Sequence, residues 1–138
     1  MPVIRPALTM DLPGAYRVCL LTGDAGRDGS ALFRNPDLLG HVFVGPYIVG
    51  APDFALVVAD SVGIAGYCLA VADTPAFETW CEANWWPTLR AQYPLPADAT
   101  PSQPHELGFP FSLRQTLGLW KLLYLGGDWA VSGSLTPT

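Results

Sequence analysis

The residue types that most often carry out chemistry in proteins are sparse in this sequence. It has three cysteines, Cys19, Cys68 and Cys81, and two histidines, and no two of these five residues lie close together along the chain. A metal site or a cysteine nucleophile needs close partners of these types, so we expect neither. The cysteines lie in apolar segments, which is typical of small buried side chains in a reducing compartment. His41, in a short predicted helix, is expected to pack against its neighbours rather than act as a base.

One polar loop stands out as a candidate site. Residues 23–30, Gly-Asp-Ala-Gly-Arg-Asp-Gly-Ser, form the most polar stretch of the chain and contain the two carboxylates Asp24 and Asp28. Functional residues are often found on loops that a rigid scaffold positions, but a plain surface loop has the same composition. The composition leaves both interpretations open.

The elements that would position this loop are organised around residues 54–73. Two apolar runs rich in β-branched residues are interrupted there by Asp60, Ser61 and Gly63, a pattern that predicts a β-hairpin rather than a buried helix. Both runs carry apolar residues at consecutive positions, so we expect the hairpin to be covered on both faces.

The chain before the hairpin predicts one strand and two helices. Residues 2–7 read as a short strand, and Thr9 or Asp11 is placed to cap the helix that follows. A second, short helix is predicted to start at residues 35–36 and to end at residues 45–46, where a glycine precedes a proline.

After the hairpin comes the longest helix pattern of the chain. Residues 73–75, Asp-Thr-Pro, are a helix-start signal, and Pro87 is expected to bend or restart the helix near Trp86. One face carries an apolar stripe of Phe77, Trp80, Cys81, Trp85 and Leu89. Trp86 is predicted to lie on the far side from this stripe, which makes it a candidate contact for a ligand or a partner.

The last part of the chain has a different composition. Residues 95–104 are rich in proline and polar residues, as in an extended linker, and residues 112–115 are a capping-box pattern that starts one further helix. We therefore expect an α/β (α+β) protein with a domain over residues 1–96 and a proline-rich linker and helical tail over residues 97–138.

Charge and hydrophobicity narrow the possible partners. A net charge of −5, with one lysine and six arginines, argues against a nucleic acid or an anionic membrane as partner. The sequence shows neither a signal peptide nor an apolar run long enough to span a bilayer, so we expect a cytoplasmic protein. Half of the residues are hydrophobic and only 14% are charged, against about 25% in an average domain. Some apolar surface is therefore expected to need a partner.

Four spaced motifs accompany this order of elements: VCLLTGDAG at residues 18–26, VGPY at 44–47, GIAGY at 63–67 and WWPTLRAQYP at 85–94. They resemble the GNAT superfamily of acetyltransferases, and among these the bacterial members related to the acetyltransferase-like domain of eukaryotic protein O-GlcNAc hydrolases. The resemblance covers residues 4–94 and implies the N-terminal half of a GNAT fold: strand, helix, helix, β-hairpin and long helix.

The resemblance also implies acetyl-CoA as cofactor, no metal, and a small-molecule or protein amine as acceptor. It implies that Asp24 or Asp28 binds or deprotonates the cationic amine, while Tyr47 and Trp86 form a wall of the acceptor site. Arg90 would orient an anionic group or simply pair with an acidic neighbour, Glu82 or Glu78. A purely structural role is the alternative for each of these residues.

Beyond Pro96 the resemblance ends. The family would continue with a His-rich strand along the acetyl-CoA site and a glycine-rich loop whose amides hold the pyrophosphate. Only residues 115–120 echo that loop, and Trp120 stands where a small residue must let the backbone approach a phosphate. We assign no cofactor-binding residue and expect the N-terminal half of such a domain followed by unrelated sequence, from a truncated or a frame-shifted reading frame.

Two functions remain open at this point. The first is a GNAT-type N-acetyltransferase, which transfers an acetyl group directly from a thioester to an amine. The alternative is a non-catalytic half-domain that acts as a binding or dimerisation module. In either case we expect self-association through an exposed edge of the sheet.

Overall fold

The computed structural model of this chain describes residues 1–33 and 35–92. The predicted proline-rich linker, the tail helix and the echo of a cofactor loop at residues 115–120 lie outside this part. The fold is α+β, as predicted. Its strands are β1 (Val3–Pro6), β2 (Ala55–Ala59) and β3 (Ile64–Leu69), and its α-helices are α1 (Leu12–Leu21), α2 (Leu38–Phe43), α3 (Gly45–Gly50), α4 (Thr74–Asn84) and α5 (Trp86–Gln92).

The three strands form one antiparallel sheet in the order β1, β2, β3. The predicted hairpin is present as β2 and β3, with Val57 opposite Tyr67. Asp60 closes the turn because its carboxylate accepts hydrogen bonds from the amides of Val62 and Gly63, at 2.7 and 3.1 Å. Gly63 has a φ of +143°, a conformation that residues with a Cβ rarely adopt.

The hairpin is covered on one face, not on both. Val57 and Leu69 are fully buried, whereas Leu56 is 40% exposed and Val58 is half-buried. The prediction of two covered faces was wrong for the described residues, since a run of consecutive apolar residues does not show which alternate side chains find a partner. The other side, which we call the open face, consists of Ile4, Leu56, Val58 and Cys68.

Asp11 joins the end of β1 to the start of α1. Its carboxylate accepts two hydrogen bonds from the Arg5 guanidinium, at 2.7 and 2.8 Å, and one from the Leu8 amide at 2.8 Å. Asp11 occupies the N-cap position of α1, one of the two predicted positions, but its side chain accepts no hydrogen bond from α1 and instead accepts the one from Leu8, ahead of the single 3-10 turn at Thr9–Asp11. Asp11 is buried, and the hydrogen bonds from Arg5, followed by that from Leu8, lower the pKa of its carboxyl.

The second helical region differs from the prediction in its bounds. The Asn35 side chain accepts a hydrogen bond from the Asp37 amide at 2.9 Å, and α2 begins only at Leu38. Helix α2 ends at Phe43, just before the predicted end at residues 45–46, but these residues also start α3, which was not predicted, with Pro46 in its first turn. Proline suits this position because the first amides of a helix have no partner inside it.

The long helix pattern after the hairpin is two helices. Asp73 caps α4 as predicted, since its carboxylate accepts a hydrogen bond from the Ala76 amide at 2.9 Å. The helix is interrupted at Trp85 and restarts at Trp86 next to Pro87, also as predicted. The restart gives α5 its own rotational phase, and Trp86 is only 2% exposed. The predicted position of Trp86 on the far side was therefore wrong.

Aromatic rings pack directly on the backbone at three glycines, which we call the glycine seam: Gly40, Gly45 and Gly50. A Cβ at Gly40 would collide with the Tyr16 ring, and one at Gly45 would collide with Tyr16 and with Trp85. A Cβ at Gly50 would come within 2.5 Å of the Trp80 ring. Because a Cβ atom almost never comes this close to another heavy atom, the seam requires glycine on steric grounds.

The glycine seam also carries a hydrogen bond between elements far apart in sequence. The Trp85 indole N–H donates to the His41 carbonyl at 2.7 Å, which ties the end of α4 to α2. The His41 ring stands edge-on to Tyr16, with ring centroids 5.1 Å apart. Helices α1, α2 and α4 therefore meet through side chains that only glycine backbone allows to approach.

We expect Gly40→Ala to destabilise the protein by about 1–3 kcal/mol, the usual cost of overpacking. In an ordinary helix interior the same change stabilises by about 0.5–1 kcal/mol. Urea unfolding measures the difference. In a Tyr16→Leu background the cost of Gly40→Ala should shrink, and equal costs in both backgrounds would contradict the packing described above.

We expect Asp11→Asn to lower the melting temperature at pH 7 by about 5 °C. The folded state depresses the pKa of Asp11. Its contribution is therefore fully present above the unfolded pKa of about 3.9, starts to fall near that pH and is lost as the pH falls through the lower pKa of the folded state. Melting curves should show a smaller difference in melting temperature between parent and variant at pH 3 than at pH 7. Asp60→Asn, which keeps its turn acceptor, is the control, and a gap unchanged at pH 3 would argue against the ion pair.

Candidate functional site

The predicted acceptor loop begins where α1 ends, in a tight turn. Asp24 and Arg27 exchange two backbone hydrogen bonds, at 3.0 and 2.9 Å, and the residues between them, Ala25 and Gly26, have φ values of 51° and 87°. Two positive φ angles are the mark of a type I′ turn. The Asp24 carboxylate lies 3.3 Å from the Arg27 guanidinium, in an exposed pair. The turn thus presents one carboxylate and one guanidinium group to solvent.

Asp28 follows the turn and is exposed. Its Oδ1 accepts hydrogen bonds from the amide and the hydroxyl of Ser30. These bonds lower the pKa of Asp28, the hydroxyl contributing more than the amide. A carboxylate held in its charged form is a poor proton acceptor but suits a cationic group. Of the two roles expected for Asp28, binding fits this geometry better than deprotonation.

Tyr47 and Trp86 lie in the same hydrophobic core, at 1% and 2% exposure. The Tyr47 ring packs against Phe77, with centroids 4.7 Å apart. The Trp86 indole N–H is buried and has no hydrogen-bond partner among residues 1–33 and 35–92. Both side chains belong to the buried core cluster, and their role as a wall of an acceptor site stays a prediction.

Arg90 lies on the surface of α5. Its guanidinium donates to both carboxylate oxygens of Glu82, each at 3.0 Å, and both side chains are partly exposed. Of the two roles expected for Arg90, the structure shows pairing with Glu82. Such exposed pairs contribute little to stability, so the guanidinium is available to an anion that competes with Glu82.

The five predicted site residues therefore occupy three places. Asp24 and Asp28 share the polar loop, Tyr47 and Trp86 share the core, and Arg90 lies on α5.

The other reactive residue types pack as small or neutral side chains. Burial raises the pKa of the Cys19 thiol, and burial together with Glu78 and Glu82 raises that of Cys81 to about 12. Burial also lowers the pKa of His41, and Asp37 only partly offsets this effect. Within the described ranges there is no group of three or more His, Cys, Asp or Glu that could hold a metal ion.

Sequence reasoning missed a cavity of about 320 Å³ between the end of α3 and the first turns of α4. The residues that line it include two acidic and three aromatic ones: Asp53, Phe54, Asp73, Phe77 and Trp80. Asp73 was recognised only as a helix cap, and Phe77 and Trp80 only as core residues. The hairpin creates the cavity by folding the chain back on itself, so that the Ala70 amide donates to the Phe54 carbonyl at 3.1 Å.

None of the helices described is both long and apolar enough to cross a bilayer.

Comparisons with known proteins identify relatives of part of the chain. No family model matches. Protein O-GlcNAcase from Rattus norvegicus and from Mus musculus is 32% identical over 93 residues, which is 67% of this chain and 10% of each relative. A diheme cytochrome c-type protein from Cereibacter sphaeroides is 49% identical over 43 residues, which is 31% of this chain and 14% of that protein.

One solved structure is similar to this chain. The crystal structure of SsHAT aligns with a TM-score of 0.77 and 29% sequence identity, over 99% of this chain and 67% of that one. This match and the partial similarity to the acetyltransferase-like region of O-GlcNAcase confirm the resemblance to the GNAT acetyltransferases.

The matched regions are only parts of the curated relatives. The chain spans about a tenth of the length of the O-GlcNAcases that it matches. The similarity to the diheme protein carries no inference about haem, because the present sequence has no Cys-x-x-Cys-His motif for haem attachment.

Proposed function

We propose that this chain, with its partial GNAT-like domain, transfers an acetyl group from acetyl-CoA to an amine. The observation that carries the proposal is the similarity of fold to SsHAT, at 29% identity over 99% of the chain. The sequence similarity to the acetyltransferase-like region of O-GlcNAcase supports it independently. The acceptor is a small molecule or a protein, and the setting that we propose is the cytoplasm, where three free cysteines persist.

The reaction has simple requirements. The lone pair of a neutral amine attacks the thioester carbonyl, a C–N bond forms, the C–S bond breaks, and CoA leaves as its thiol after taking up a proton. A base must take the proton that the amine loses, and donors must stabilise the charge on the carbonyl oxygen. The acetyl-CoA would supply the thioester, and the protein must hold the amine beside it.

The polar loop is the part of the described chain that best fits the amine. Asp24 and Asp28 are exposed acids at the end of α1, and the lowered pKa of Asp28 keeps its charge available to an ammonium group. Arg90 would hold an anionic group of a ligand in place of Glu82. Tyr47 and Trp86 would act only indirectly, as buried core residues that keep the fold rigid.

Calorimetric titration of the full chain with acetyl-CoA tests this proposal. We expect saturable binding in the micromolar range and, with an amine present, acetylated product detected by mass spectrometry. The double variant Asp24→Asn, Asp28→Asn should lower kcat/KM for the amine by about tenfold or more while leaving acetyl-CoA affinity unchanged. The double variant Asp60→Asn, Asp53→Asn, which removes the same two negative charges outside the loop, should change neither value. Absence of binding at millimolar acetyl-CoA would rule out the enzyme.

A second candidate is a dimerisation module, and the exposed sheet edge favours it. Strand β3 pairs with β2 and with no other strand among the described residues, and it contains no charged residue. The open face beside it leaves Ile4 71% exposed and Leu56 40% exposed. An uncharged edge strand next to exposed apolar area can pair with the same strand of a second copy.

Sedimentation velocity tests this second candidate. Ala65 is exposed on β3, and Ala65→Lys places a charge at the edge. We expect the parent chain to form dimers at tens of micromolar, on the order of affinities for small interfaces, and Ala65→Lys to shift it to monomer. Ala83→Lys, the same change on an exposed position of α4, should leave the dimer intact. A monomeric parent chain, or an equal loss of dimer in both variants, would rule out dimerisation through β3.

A further inference from the structure

We propose that the cavity between α3 and α4 binds an alkylammonium group. This site is separate from the polar loop and does not depend on acetyl transfer. A cavity of about 320 Å³ is at the small end of the range for ligand pockets. It therefore suits a small quaternary ammonium compound rather than a large cofactor.

The charge of the residues that line the cavity favours a cation as ligand. Asp53 and Asp73 both line the cavity, none of the lining residues is basic, and neither carboxylate has an ion-pair partner within the described part of the chain. Asp73 accepts a hydrogen bond from the Ala76 amide, which holds its carboxylate at the cavity. The net charge of −5 on the whole chain favours approach of a cation to this surface.

The aromatic rings select an organic cation over a metal ion. Phe77 and Trp80 stack with ring centroids 6.3 Å apart and an angle of 13° between the rings. The face of an aromatic ring attracts an ammonium group, and tryptophan does so most strongly. A calcium ion instead needs six to eight oxygen ligands, which two carboxylates do not supply.

The Trp80 ring is held in place before any ligand arrives. A Cβ at Gly50 would come within 2.5 Å of one ring atom of Trp80 and 2.6 Å of another, so the ring rests on the glycine backbone. Phe77, which is buried and packs against Tyr47, supports it from the core side. A rigid aromatic wall loses little conformational entropy on binding, which favours affinity.

Saturation-transfer NMR with two ligands of the same shape tests the proposal. Choline carries a quaternary ammonium, and 3,3-dimethyl-1-butanol is its uncharged counterpart, so the methyl protons of each report binding in the same way. We expect choline to bind the full chain at least about tenfold more tightly than the alcohol, because both the carboxylates and the rings act on charge. Equal affinities, or no saturable transfer up to about 100 mM choline, would overturn the proposal.

Substitutions distinguish the effect of the cavity's charges and rings on choline binding from a general effect on folding. The double variant Asp53→Asn, Asp73→Asn should weaken choline binding by about fivefold or more, and asparagine at position 73 still caps α4. Asp60→Asn carries the same kind of charge change outside the cavity and should have no effect. Trp80→Phe should bind choline more tightly than Trp80→Leu, because only phenylalanine keeps an aromatic face. Unchanged affinity in the double variant, or an equal loss in Asp60→Asn, would contradict the site.

The outcome is independent of the proposed enzyme activity. Choline binding is measured without acetyl-CoA, so a chain that fails to bind acetyl-CoA can still bind choline, and the reverse also holds.

Discussion

The close approach of aromatic rings to the glycine seam is the constraint on which most of this structure depends. Tyr16, Trp85 and Trp80 each rest on backbone at Gly40, Gly45 or Gly50, where a side chain would collide with the ring. These three contacts bring α1 and α4 against α2 and α3, and the Trp85 to His41 hydrogen bond fixes their relative position. Rings packed on backbone leave little free volume, so the position of each ring limits the positions that the other two can take.

The seam also links the core to both candidate binding regions. At one end, α1 leads from Tyr16 to the polar loop with Asp24 and Asp28. At the other end, Gly50 supports Trp80, which forms a wall of the cavity that holds Asp53 and Asp73. Two acidic surfaces, one on a tight turn and one in an aromatic cavity, are thus carried by the same rigid helices. A loop and a cavity positioned in this way are preorganised for ligands.

The sheet contrasts with this helical side of the molecule. Its covered face buries Val57 and Leu69, while Ile4 and Leu56 on the open face remain exposed to different degrees. Half of the residues in this chain are hydrophobic, yet its described part has only three strands and short helices, which leave little room for a core. Apolar side chains on the open face account for part of this difference. The excess of apolar residues lies on the sheet surface as well as in the core.

The local features of this protein were determined by the sequence itself. The hairpin turn at Asp60, the cap at Asp73 and the helix restart beside Pro87 depend on the conformations and hydrogen bonds of neighbouring residues, and all three could be predicted. Tertiary structure decided which face of the hairpin is buried, that the Asp11 carboxylate at the start of α1 binds Arg5 rather than the amides of α1, and that Trp86 turns inward. It also placed Asp53 beside Asp73 and Trp80. These outcomes depend on contacts between elements whose relative positions follow from packing, and residue spacing along the chain carries no information about that packing.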